Sequence, residues 1–197
     1  MLKVLALNCS LKADGISSTD VLLSQILEEM GAKVESETVR VAALNIKPGV
    51  TSDEGEGDEW PSLRKKVDAC DIFLIGTPIW LGQPSSVAKR VLERMDAFLD
   101  EADVKGRTPA YGKVAAVGVV GNEDGAHHVS AELFQALADV GFTIAAGGPS
   151  YWVGEAMGSV DYKDLKAPPQ VVATATSMLV RNALHLAGLL KRSPYPG

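Results

Sequence analysis

Five apolar runs of strand length recur along the chain with helix-patterned segments between them, and this alternation restricts the fold more than any other feature. The runs are VLALN (4–8), KVESETVRV (33–41), IFLIGTP (72–78), KVAAVGVVG (113–121) and FTIAA (142–146). Between them apolar residues fall at helical spacing: Val21, Leu22, Ile26 and Leu27; Leu63 and Val67; Val87, Val91, Leu92, Met95 and Phe98; Leu133, Phe134, Leu137 and Val140. Such spacing marks amphipathic helices, and runs too continuously apolar to leave a wet face mark strands covered on both sides. Strands and helices alternating in this way build a parallel sheet through right-handed crossovers. The expected fold is a doubly wound, three-layer α/β/α sandwich on a five-stranded parallel sheet.

Two segments break the rhythm. Residues 45–63, NIKPGVTSDEGEGDEWPSL, are glycine-rich and acidic and read as a solvated loop, with Trp60 as an anchor where a helix begins near Pro61. Residues 147–170 show no clear periodicity, and a loop that long within a compact domain is usually functional or flexible. Residues 171–190 are apolar but interrupted by Arg181, Asn182 and His185, so they read as a buried terminal helix. The 197 residues are expected to form one domain, with a C-terminal extension and helix over about 147–192.

Charge narrows the function. A net charge of −6 without a basic stripe disfavours a nucleic-acid partner, which needs clustered positive surface. No apolar run reaches the about 18 residues of a membrane span, and MLKVLALN is too short for a signal sequence. A cytoplasmic location is therefore expected. Cys9 and Cys70 sit singly in apolar surroundings and read as structural thiols.

In an open sheet of this kind a ligand binds outside the carboxyl ends of the strands. Three loops follow those ends. The first, NCSLKADGISSTDVLL (8–23), leads into a helix whose N-terminus favours an anion. Ser10, Ser17, Ser18 and Thr19 add hydroxyls and Lys12 a charge, although Ser17 or Ser18 can equally be a plain helix cap. There is no Walker lysine and no dinucleotide glycine triplet, so a single phosphate fits better than a triphosphate or pyrophosphate.

The second loop, within GTPIWLGQPSSVAKRVLERMDAF (76–98), has Pro78 and Gly82 shaping a turn that is expected to leave Ile79, Trp80 and Leu81 on the rim rather than in a strand. Large apolar side chains held there suit stacking against a planar ring, the alternative for Trp80 being ordinary packing. Gln83 or Ser85 would cap the next helix. The third loop, GNEDGAHH (121–128), offers Gly121 and Gly125 for close backbone approach and Asn122, Glu123 and Asp124 for polar contacts. His127 and His128 are adjacent, so they point apart and lack metal spacing; His127 is the better candidate for ligand contact.

Together the three loops resemble the flavin mononucleotide site of the flavodoxin-like NAD(P)H-dependent FMN reductase family over most of residues 2–146. The resemblance implies that Ser10, Lys12, Ser17, Ser18 and Thr19 grip the FMN phosphate. It implies that Pro78, Ile79, Trp80, Leu81 and Gly82, in TPIWLG, line the isoalloxazine ring, and that Gly121, Asn122, Glu123, Asp124 and Gly125 meet its pyrimidine end. The family's usual glycine-serine start is Cys9-Ser10 here, and its frequent arginine is Lys12. No cysteine spacing for iron and sulfur is present.

The implied activity is hydride transfer from NAD(P)H, the co-substrate, through FMN to a quinone or similar small electron acceptor, with no protein acid or base named. A homodimer or homotetramer is implied as well, with Tyr151 and Trp152 either closing the site, contacting a second subunit or covering the sheet edge. An electron-carrying flavodoxin is the rival reading, but carriers show a dense acidic face and here the carboxylates are spread apart from DEGEGDE. A flavin-free interaction protein of the same fold is a third.

Overall fold

The computed structural model describes residues 1–196. Strand β1 (Leu2–Asn8) has β2 (Val34–Arg40) parallel on one side and β3 (Ile72–Trp80), the middle strand, parallel on the other. Beyond β3 lies β5 (Val114–Gly121), with the two-residue β4 (Gln83–Pro84) folded back antiparallel on the end of β3. The fifth strand position is filled by two pieces, β6 (Thr143–Ile144) against the start of β5 and β7 (Ser150–Val153) against its end, both parallel. The order β2-β1-β3-β5-β6 is that of a doubly wound flavodoxin-like sheet, whose direction of winding reverses between β1 and β3.

Alternation along the strands sorts side chains to two dry faces. Leu5, Leu7, Phe73, Ile75, Ala115 and Val117 face one core with helices α2 (Trp60–Ala69), α3 (Ser86–Met95) and α5 (Ala126–Asp139). Val4, Ala6, Ile72, Leu74, Val114 and Ala116 face the other, under α1 (Ser18–Met30) and α6 (Gln170–Arg192). The short α4 (Ala97–Asp100) continues α3 and buries Phe98. At Gly76 a Cβ would lie 2.8 Å from Leu23, so the glycine lets α1 settle onto the sheet beside the site.

Four expectations change. The run 33–41 was expected to be dry on both faces, yet β2 is an edge strand with Glu35, Ser36, Glu37 and Thr38 exposed, as unpaired edges tend to be. The run 142–146 contributes only two strand residues, because positive φ at Gly147 and Gly148 breaks the strand before it resumes at Ser150. Residues 150–153, expected within a loop, are therefore sheet. Finally, the acidic loop before α2 is not simply solvated: the Asp58 side chain is covered against Arg94 of α3.

Candidate flavin-phosphate site

The first wall is built on the β1–α1 connection. Asn8, at the end of β1, is fully buried and accepts from the Ser10 N–H at 2.9 Å, which turns the chain sharply out of the sheet. Ser17 caps α1, accepting from the Asp20 N–H at 3.2 Å, while Asp20 accepts from the Ser17 N–H at 2.7 Å, a reciprocal capping box. Asp20 also accepts from Asn8 Nδ2 and from Arg40 Nη2 of β2, each at 2.5 Å. Partial burial pushes this carboxyl upward, but the bonds from Ser17, Arg40 and Asn8 outweigh it and hold it below the usual carboxylate value. Arg40 thus cancels a negative charge at the start of α1 and also donates to the Lys12 carbonyl at 3.2 Å.

Within that frame the Ser10 hydroxyl is buried, 4% exposed as a residue, and has no hydrogen-bond partner. An orphaned buried hydroxyl carries a desolvation cost, so it marks a place for an acceptor or donor from a ligand. The unpaired N–H groups and positive end of the 13-residue α1 lie beside it. A phosphate fits this chemistry.

The second wall corrects the expected rim. Pro78, Ile79 and Trp80 belong to β3 itself, and Leu81-Gly82 is the two-residue turn of a hairpin that pairs Trp80 with Gln83. Both turn residues have positive φ, 53° and 73°, as the tight turn joining twisted strands requires. Ile79 is buried, Trp80 is about half exposed, and Leu81 points almost entirely into solvent. Ser85, rather than Gln83, caps α3, accepting from the Ala88 N–H at 3.0 Å and donating to the Cys9 carbonyl at 2.5 Å. That bond ties the second loop to the first. Burial pushes the Cys9 thiol well above the usual range and the Cys70 thiol up to about 12, so neither is a ready nucleophile.

The third wall is the end of β5. Glu123 accepts from the Gly82 N–H at 2.9 Å, clasping the hairpin, and Asn122 donates to the Gly158 carbonyl at 2.7 Å. Asp124 accepts from the Gly125 N–H at 2.7 Å, and Gly125 (φ 118°) is the left-handed residue before α5. His127 Nε2 lies 3.2 Å from the Tyr151 hydroxyl, whereas His128 pairs with Glu132 at 2.8 Å and Gln83 at 3.0 Å.

These walls enclose one cavity. Ser10, Lys12, Ser17, Ser18 and Thr19 line it from the first loop; Pro78, Ile79 and Trp80 from the second; Gly121, Asn122 and Glu123 from the third. Leu81, Gly82, Asp124, Gly125 and His127 lie outside its lining, the glycines and Asp124 in supporting positions. Sequence reasoning missed Leu11, Val120, Asp161, Tyr162 and Lys163, which also line it. Of the pair left open between site and interface, Trp152 is buried in the cavity wall and Tyr151 stands behind, with its ring 5.2 Å from that of His127.

A doubly wound sheet with a phosphate-suited helix start, an aromatic wall and a backbone-lined third side at its switch point defines a flavodoxin-like flavin-phosphate protein. The chain belongs to the NADPH-dependent FMN reductase family, which it matches over residues 2–158. It is thus an oxidoreductase-family flavoprotein with FMN as its cofactor. It is 34% identical over 201 residues to a Mycobacterium bovis protein named divalent metal cation transporter MntH, covering 96% of this chain but only 29% of that protein. It is 34% identical over 210 residues to the 8-demethyl-8-aminoriboflavin-5′-phosphate synthase of Streptomyces davaonensis, covering 98% of this chain and 80% of that one. The crystal structure of RosB with bound 8-demethyl-8-formylriboflavin-5′-phosphate superposes with a TM-score of 0.88 at 31% identity, over 99% of this chain and 82% of that chain. No helix among the described residues is long and apolar enough to cross a membrane.

Proposed function

We propose that the cavity binds FMN with its phosphate at Ser10 and the start of α1, and that the protein is an NAD(P)H-dependent reductase of a quinone or similar small acceptor. The observation that carries the binding mode is the buried, unpartnered Ser10 hydroxyl inside a cavity otherwise well satisfied. When bound, FMN supplies hydride transfer between the nicotinamide and the acceptor. The chain's residues hold and shape the site. Ser10, Ser18 and Thr19 bind the phosphate, while Ser17 fixes the helix start and Lys12 neutralises charge. Pro78, Ile79 and the open face of Trp80 flank the ring, and Gly82 fixes the hairpin that carries them. Gly121, Asn122 and Glu123 border the ring's polar end, where the positive end of α5, set up by Asp124 and Gly125, favours negative charge. Leu81, exposed on the hairpin turn, and His127, paired with Tyr151, would contact the flavin from outside the cavity lining.

In this reading all 197 residues form one FMN-binding domain, which assembles as a homodimer or homotetramer. Trp80, Leu81, Met157 and Val160 are exposed apolar side chains at or beside the cavity lining, a surface that a second copy would cover.

A second reading has specific support: the Streptomyces relative, similar over 98% of this chain, is named as a synthase of a modified flavin phosphate. There the same cavity would take the flavin as substrate. Anaerobic addition of NADPH and then benzoquinone to the FMN-loaded protein tests the first reading. Bleaching of the flavin band followed by its recovery supports the reductase; an unbleached flavin opposes it.

A further inference from the structure

The family match ends at residue 158, yet the cavity wall continues beyond it. Tyr162 anchors that continuation: it is 1% exposed, its ring packs 5.3 Å from that of Trp152, and its hydroxyl donates to Gln25 of α1. The next N–H, that of Lys163, donates to Ser18 Oγ at 3.3 Å. Lys163 is therefore fastened to the first turn of α1, in the wall of the cavity that Ser10 also lines.

Lys12 and Lys163 are the two cations in the described lining. Arg40, which also reaches the first loop, is committed to Asp20 and the Lys12 carbonyl. Lys12 stands on an exposed loop. A phosphate monoester carries about −1.5 to −2 charge at pH 7, more than one exposed lysine neutralises. We propose that Lys163 is a phosphate-discriminating residue, whose ammonium closes over the phosphate of bound FMN at the start of α1 and makes the site prefer FMN to riboflavin. This rests on the reading that the cavity takes FMN.

The surroundings of the ammonium suit that role. The Lys163 side chain as a whole is about three-quarters buried, and its ammonium is held 3.0 Å from Asp164 and 3.5 Å from Asp161, whose side chains are 54% and 47% exposed. Such exposed pairs are weak, and an ammonium has three donors, so it can reach a phosphate without abandoning both carboxylates. Asp161 also lines the cavity, and its pairing with Lys163 screens it from the incoming anion.

The test is equilibrium binding of FMN and riboflavin, followed by flavin fluorescence, to the wild-type chain and to Lys163→Met, Lys163→Arg and Asp161→Asn/Lys163→Met. Lys163→Met should lose about tenfold in FMN affinity while riboflavin affinity stays within about twofold, and Lys163→Arg should keep most of the preference. The double variant should still lose FMN affinity, which separates a lost attraction from an unscreened Asp161. Parallel loss of both flavins, or undiminished preference for FMN, would overturn the clamp. A wild-type chain that binds neither flavin would instead overturn the reading of the cavity beneath it.

Discussion

Arg94 and Asp58 form an ion pair, Nη1 to Oδ2 at 2.7 Å, from which solvent is wholly excluded. Around it the 45–59 loop is organised: Arg94 donates to the Thr51 and Lys47 carbonyls and lies over the Trp60 ring, while Asp58 accepts from the N–H groups of Lys47, Glu54 and Trp60. Removing one partner strands the other charge in the interior. Arg94→Met should therefore cost about 3–5 kcal/mol in chemical denaturation at neutral pH. A loss below about 1 kcal/mol would show that water reaches the pair.

The same pair sets a pH dependence. Burial pushes the Asp58 carboxyl up, but the bonds from the Glu54 N–H, Arg94, and the Trp60 and Lys47 N–H groups prevail and hold it at about 2, against an ordinary 3.8. Because the folded value lies below the unfolded one, its stabilisation is complete above the ordinary carboxylate range. It is lost as pH falls towards the folded value. Urea midpoints should fall between about pH 5 and pH 2, and Asp58→Asn should flatten part of that fall. Asp20, held low by Ser17, Arg40 and Asn8, accounts for a further part.

Ser10→Ala separates binding from folding. Since the hydroxyl bonds to nothing in the protein, its removal should leave stability within about 0.5 kcal/mol of wild type. FMN affinity should fall by about threefold to tenfold with riboflavin little changed, as fluorescence titration would read. A large stability loss with intact FMN affinity would place the hydroxyl in the fold instead.

Gly125 couples the hairpin to α5. At φ 118° a side chain is strained, and a Cβ there would sit 2.9 Å from the Gly82 Cα and 3.1 Å from its carbonyl oxygen. Gly125→Ala should cost about 1–3 kcal/mol and loosen the Trp80 wall, seen as altered tryptophan emission in the folded state. Unchanged stability would mean that the turn yields without cost.

The parts of this structure legible beforehand were those written in contiguous residues. The first loop holds Ser10 to Thr19 within one turn and one helix start, so its hydroxyl-rich lining of the cavity is legible from composition alone. The five strand positions follow from apolar runs long enough to stand above noise. Two features hid themselves for physical reasons. The fifth strand is split by Gly147 and Gly148, leaving a four-residue piece whose alternation is too short to read. Asp20–Arg40, Arg94–Asp58 and Lys163–Ser18 join residues 20, 36 and 145 positions apart, and no local pattern announces such partners. Trp80 was misplaced because a Leu-Gly turn with positive φ at leucine is uncommon, so the sequence resembled a loop where the strand runs on into a hairpin.

The reductase activity is tested most directly by anaerobic multiple turnover with one equivalent of FMN, excess NADPH and benzoquinone, followed by mass spectrometry of the released flavin. Many NADPH should be oxidised per flavin, with FMN recovered at unchanged mass. Flavin recovered with an altered mass, or no NADPH consumed beyond the protein-free rate, would contradict that activity.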